Sequence, residues 1–112
     1  MNPTQRGRAG EDAAAALLEA AGYRIVGRNV RVPGGEIDII ARDGDTIVFV
    51  EVKARASRSF GSAAGAVDAR KRATLRRIAG DWLQIAAPRA RARFDVVTFE
   101  RGRPTLHRGA FA

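Results

Sequence analysis

Glu36, Asp38, Glu51 and Lys53 stand in the stretch GEIDIIARDGDTIVFVEVKAR, residues 35–55, inside two runs otherwise built largely from isoleucine, valine and phenylalanine. Two carboxylates brought within ~4 to 6 Å of each other resist simultaneous ionisation unless a positive charge sits between them. One lysine cannot neutralise three acids, so the missing partner is most economically a divalent cation. Oxygen ligands of this kind suit Mg2+ or Mn2+, and magnesium typically takes one or two carboxylates, several waters and the oxygens of a substrate phosphate. An ion held there would polarise a phosphodiester and lower the pKa of a bound water. Lys53, close behind Glu51, is placed to orient or help deprotonate the attacking water, or to neutralise charge in the transition state. The plainer reading is an ion-pair network on a solvated sheet face. It suits Glu36 or Asp38 alone better than the set, because both runs are too apolar to be strands dipped in water.

The two runs, 36–42 and 46–52, are rich in β-branched residues and are separated by Asp43-Gly44-Asp45, a hairpin signal. If Asp43 and Gly44 are the central turn residues, Asp38 lies diagonal to Glu51; if Gly44 and Asp45 are central, or the loop has four residues, Asp38 lies directly opposite it. Either register puts Asp38 and Glu51 on one face. The other face is then Ile37, Ile39 and Ala41 against Val48, Val50 and Val52, apolar throughout and suited to a core. On the acidic face Ile40, Ile47 and Phe49 crowd toward the turn, and the charged residues gather at the open end.

The remaining elements must position this hairpin. Thr4 to Ala21 reads as a helix capped by Thr4 and stopped by Gly22, with Ala13, Ala14, Leu17, Leu18 and Ala21 on its apolar stripe. At 100° per residue Glu11 falls with Ala14, Ala15 and Leu18 and so faces inward. Residues 23–30 form a first strand and 54–66 a small, polar loop. Val67 to Ala86 is a second helix, 93–100 a fourth strand and 105–108 a short fifth. The expected fold is a single α/β domain over 1–112, with a mixed sheet of four to five strands flanked by helices. No segment is a membrane span, and Glu11, Asp12 and Glu19 interrupt any signal-peptide core, so a cytoplasmic, unprocessed protein is expected. The absence of cysteine excludes disulfides and thiolate chemistry.

The formal charge is +8, and residues 62–93 hold eight basic side chains against two acidic ones. Arg70, Lys71, Arg72, Arg76 and Arg77, with Arg89, Arg91 and Arg93 beyond Pro88, form a set that can track a nucleic-acid backbone; a solvated helix face is the alternative. Lys71 is singled out because it falls on the apolar side near Leu75, from where it can turn toward the acidic corner. Arg55 and Arg58 either contact substrate or only solubilise their loop. Trp82, among Leu75, Ile78 and Ala79, belongs to the core. Asp95 pairs with a neighbouring arginine, and His107 is given no role.

GEIDII followed after a hairpin by VFVEVKAR resembles the core of the PD-(D/E)XK nuclease superfamily, in which an aspartate on one strand and an acid-X-lysine on the next form a metal site. Taken with RGRAGEDAA, AGYRIVGRNVR, Phe60-Gly61, the lysine on the second helix and RFDVV, the chain resembles the YraN-like family of bacterial proteins from about residue 5 to 100. That family is grouped with Holliday-junction-resolvase-like endonucleases. The resemblance implies a restriction-endonuclease-like fold with Asp38 and Glu51 as metal ligands and the Val52 carbonyl as a third. It also implies Lys53 as the catalytic lysine and Glu11 as a further acid that completes the metal's acidic shell. Ile37 replaces the superfamily's proline. The reaction expected is Mg2+- or Mn2+-dependent cleavage of DNA, branched or structured DNA included, by a chain that would act as a homodimer. The rival expectations are a nucleic-acid-binding module that keeps the fold without catalysis, and an assembly factor whose basic face meets RNA or an acidic partner.

Overall fold

The isoleucine and valine runs alternate with polar turns at spacings that favour strands, and the alanine- and leucine-rich segments have helical period, so each element follows from local pattern. In the computed structural model, which describes residues 3–53 and 67–112, α1 (Pro3–Ala20) precedes three strands, β1 (Arg24–Val32), β2 (Gly35–Asp43) and β3 (Thr46–Lys53). Then come α2 (Ala69–Ala86), β4 (Arg91–Glu100) and β5 (Arg103–Phe111). The strands form one mixed sheet in the order β1-β2-β3-β4-β5. Consecutive strands pair antiparallel except β3 and β4, which run parallel with α2 in the crossover between them. The architecture is α/β, with five strands between two helices, and is compatible with a restriction-endonuclease-like fold.

One helix covers each face. Ala14, Ala15 and Leu18 of α1 pack on Ile39, Ala41, Val48, Val50 and Val97, whereas Leu75, Ile78 and Ala79 of α2 pack on Ile37, Ile40, Ile47, Phe49 and Val96. This is why the strands read as continuous apolar runs: a sheet buried on both sides has no polar face to advertise. Trp82 lies in the α2-side core, edge-on to Phe49 with ring centroids 5.8 Å apart.

Three expectations are resolved or changed. Asp43 pairs with Thr46, so Gly44 and Asp45 are the central turn residues and continued pairing sets Asp38 directly opposite Glu51. Ile37 does not share a face with Ile39 and Ala41; it packs with Ile40 on the α2 side, which means the alternation of β2 breaks at Asp38. The acidic face is also not solvated, since α2 lies over Ile40, Ile47 and Phe49. Two smaller differences concern ends. Val67 is buried and precedes α2, whose cap is Asp68, accepting the Lys71 backbone N–H at 2.8 Å. The last strand runs over nine residues because Arg101 and Gly102 both have positive φ and close a tight hairpin that Arg-Gly does not signal as Asn-Gly would.

Candidate active site

The break at Asp38 has a backbone cause. Arg28 pairs with Ile39 and Val30 with Ile37, leaving Asn29 opposite Asp38, and Asn29 has φ +52°. Asparagine tolerates this left-handed conformation better than most residues. On the other side of β2 the ladder with β3 stops at Ile39–Val50. Where the next pair would form, the Asp38 carboxylate takes over the role of a backbone acceptor: its Oδ2 accepts the Val52 N–H at 2.8 Å. The strands therefore separate around Asp38, and its remaining oxygen is left for another partner.

Glu51 occupies the same place from β3. It is only 6% exposed, and its Oε2 is the one buried side-chain N or O atom without a hydrogen-bond partner among the described residues. Its other oxygen, Oε1, lies 3.8 Å from Lys71 Nζ, so α2 does turn its lysine toward the acidic corner. Burial, the nearby Asp38 carboxylate and a hydrogen bond that the protonated form can share with Asp38 push the Glu51 carboxyl up to about 7, against the opposing pull of Lys71 and Lys53. Asp38 is raised as well, first by burial and then by Glu11 and Glu36, with the Val52 N–H and Lys71 opposing. An unpartnered, buried acceptor of this kind costs free energy.

The other predicted residues divide. Glu11 is turned inward as its helix position requires, but its Oε2 accepts a hydrogen bond from Asn29 Nδ2 at 2.8 Å and lies 3.8 Å from Arg28. Glu36 faces Arg31 at 3.9 Å. Lys53 is half-buried and, among the described residues, has no ion-pair partner within 4.0 Å. With Arg31 on Glu36 and Lys71 on Glu51, charge counting no longer demands a metal; that inference passes to the bare oxygen of Glu51. Among the described residues no three His, Cys, Asp or Glu side chains converge closely enough to hold an ion, so Asp38 and Glu51 form a two-carboxylate corner. That number suffices for magnesium, which keeps several of its waters.

On α2, Arg70, Arg76 and Arg77 are exposed and Arg72 partly so. Arg76 Nη1 donates to the Ala112 carbonyl at 2.9 Å, and the Arg77 guanidinium covers the turn at Gly34, where an added Cβ would meet it at 2.6 Å. Arg55 and Arg58 lie outside the described residues. Arg93 is not available to a phosphate backbone. It is half-buried and bonds Asp95, Tyr23 and Asp43.

The residue that sequence reasoning missed is Asn29. Its type is compatible with positive φ, but nothing in a strand pattern says which asparagine will adopt it, and its link to Glu11 depends on α1 crossing β1.

The family described as Uncharacterised protein family UPF0102 matches residues 10–99, a span that holds Glu11, Asn29, Asp38, Glu51, Lys53 and Lys71. A UPF0102 protein of Moorella thermoacetica is 52% identical over 98 residues, covering 87% of this chain and 82% of that protein. A second, from Parafrankia sp., is 50% identical over 105 residues, covering 92% and 89%. No helix among the described residues is long and apolar enough to cross a membrane.

Proposed function

The chain belongs to the uncharacterised protein family UPF0102, and on that footing we propose that its acidic corner is the centre of a metal-dependent nuclease that hydrolyses phosphodiester bonds in DNA, branched or structured DNA included. The observation that carries the reading is Glu51 Oε2, buried without a partner beside a second carboxylate where two strands part. A protein that needed only a stable sheet would be better served by an apolar residue there.

Asp38 and Glu51 would hold Mg2+ or Mn2+, with the Val52 carbonyl as a third oxygen. When bound, the ion would stabilise charge on the phosphate and lower the pKa of a coordinated water. The Val52 N–H fixes the rotamer of Asp38 through one oxygen and leaves the other for the site. Lys53 would hydrogen-bond the attacking water and offset charge as the phosphate becomes more negative. Glu11, tied to Asn29, would act from outside the ligand pair by holding α1 against the part of β1 that lies opposite Asp38. Arg70, Arg72, Arg76 and Arg77, with Arg55, would hold the nucleic-acid backbone, and a homodimer would address two strands at once. The reading places the protein in the cytoplasm.

The test is Glu51→Gln assayed on linear and four-way-junction DNA with Mg2+ or Mn2+. Cleavage should fall by at least ~100-fold while duplex affinity changes by less than about three-fold. Undiminished cleavage by the purified Glu51→Gln variant would exclude the assignment, and absence of cleavage by both forms would favour a binding module that keeps the fold.

A further inference from the structure

The chain contains eighteen arginines and only two lysines, and both lysines, Lys53 and Lys71, act on Glu51. Lys71 of α2 reaches it at 3.8 Å, whereas Lys53 of β3 adds its charge from beyond ion-pair distance. Where the rest of the chain uses arginine almost throughout, this corner is served by ammonium groups. The chemical difference is specific: arginine grips a carboxylate through a rigid two-point fork, whereas lysine is a compact, strongly hydrated point charge on a flexible stem. The Lys71 side chain is 42% exposed and its Nζ stands 3.8 Å from Glu51 Oε1, at the far limit of an ion pair, while Oε2 has no partner. Such a contact supplies charge without satisfying the carboxylate. It can be given up cheaply.

We infer that Lys71 is a resident counter-ion for the Glu51 carboxylate that a divalent cation displaces, so that this lysine on α2 sets the metal affinity of the corner. This rests on the metal-binding reading of Asp38 and Glu51 given above. When the ion enters, Glu51 exchanges one cation for another, and the ammonium swings away on its own stem. It then adds to the positive charge of Arg70 and Arg72, its chain neighbours on α2. Lys53 has no ion pair to relinquish among the described residues and is not part of the exchange.

Competition of this kind has a direction that a purely structural lysine would not show. Mn2+ binding to the nucleic-acid-free protein can be followed by the paramagnetic resonance signal of free Mn2+, at low ionic strength and pH 8, in the wild type and in Lys71→Met, Lys71→Arg and Glu51→Gln, each first shown to be folded by its melting curve. Removing the competitor in Lys71→Met should tighten Mn2+ binding by about two- to five-fold, the range expected when a partly exposed ion pair no longer has to be broken. Lys71→Arg, whose fork holds the carboxylate more firmly, should bind Mn2+ no more tightly than the wild type. Equal or weaker binding by Lys71→Met, or a Lys71→Arg protein as tight as Lys71→Met, would overturn the inference while leaving the metal site standing. Loss of Mn2+ binding in Glu51→Gln is the result expected of the site itself. A wild type that binds no Mn2+, or a Glu51→Gln protein that binds it equally well, would overturn the site and the exchange with it.

Discussion

A carboxylate buried beside another carboxylate destabilises a fold only when it is charged, so Glu51 should make the stability of the metal-free protein depend on pH. Its folded-state pKa is raised from 4.5 to about 7. Below the lower value the group is neutral in both states and contributes no penalty. As pH rises the unfolded chain ionises first, and stability falls until about pH 7, above which the loss is complete. A shift of that size bounds the loss at ~3 kcal/mol. In Glu51→Gln this contribution is absent, so between pH 5 and 8 the variant should gain about 2 to 3 kcal/mol relative to the wild type in urea unfolding with chelator present. A constant difference across that range would show that Glu51 is not a strained acid. The juxtaposition behind this prediction was legible in the sequence, because hairpin register alone places Asp38 and Glu51 together. The asparagine opposite Asp38 was not, since neither its positive φ nor its bond to Glu11 of α1 is marked by a strand pattern.

Between elements, a second buried acid, Asp95, serves as a tie. Asp95 is 0% exposed, and it accepts hydrogen bonds from Tyr23 Oη at 2.6 Å, Arg93 Nε at 2.8 Å and the Gly109 N–H at 2.9 Å. It thereby ties the segment after α1 to β4 and β5. Burial, reinforced by the adjoining Asp95, pushes the Tyr23 hydroxyl up to about 12, so the tyrosine stays a donor throughout the physiological range. The Asp95 bonds sit at the β4–β5 irregularity between Phe94 and Val96, where the main-chain ladder alone would be incomplete. Asp95→Ala leaves a hydroxyl and an N–H without their acceptor and a half-buried guanidinium with Asp43 as its only carboxylate, and should cost about 3 to 5 kcal/mol in urea unfolding. Asp95→Asn, which keeps an acceptor, should cost less. A loss below ~1 kcal/mol for the alanine variant would mean that the network is incidental. The pairing of Asp95 with an arginine was readable from RFDVV; its joining of β4, β5 and Tyr23 was not, because the bulge that turns it inward depends on the register of a strand the pattern marked only weakly.

For the whole molecule, the fold class was legible because each face of the sheet is covered by a helix whose apolar stripe shows in the sequence. What pattern alone could not give was the consequence of covering both faces. Taken by itself the hairpin offers one core face and one open face, yet α2 packs over the second and brings Lys71 with it. The acids therefore lie on inner strands of a sheet that is covered on both faces. The corner is a convergence of several elements: Asp38 from β2, Glu51 and Lys53 from β3, Lys71 from α2, and Glu11 of α1 through Asn29 of β1. Anomalous scattering from crystals soaked with Mn2+ decides whether the corner holds an ion. The account predicts a peak bonded to both Asp38 and Glu51, ~2.0 to 2.3 Å from their nearest oxygens, with Lys71 Nζ withdrawn from Glu51. An empty corner after soaking in excess Mn2+, with Lys71 still paired to Glu51, would contradict it.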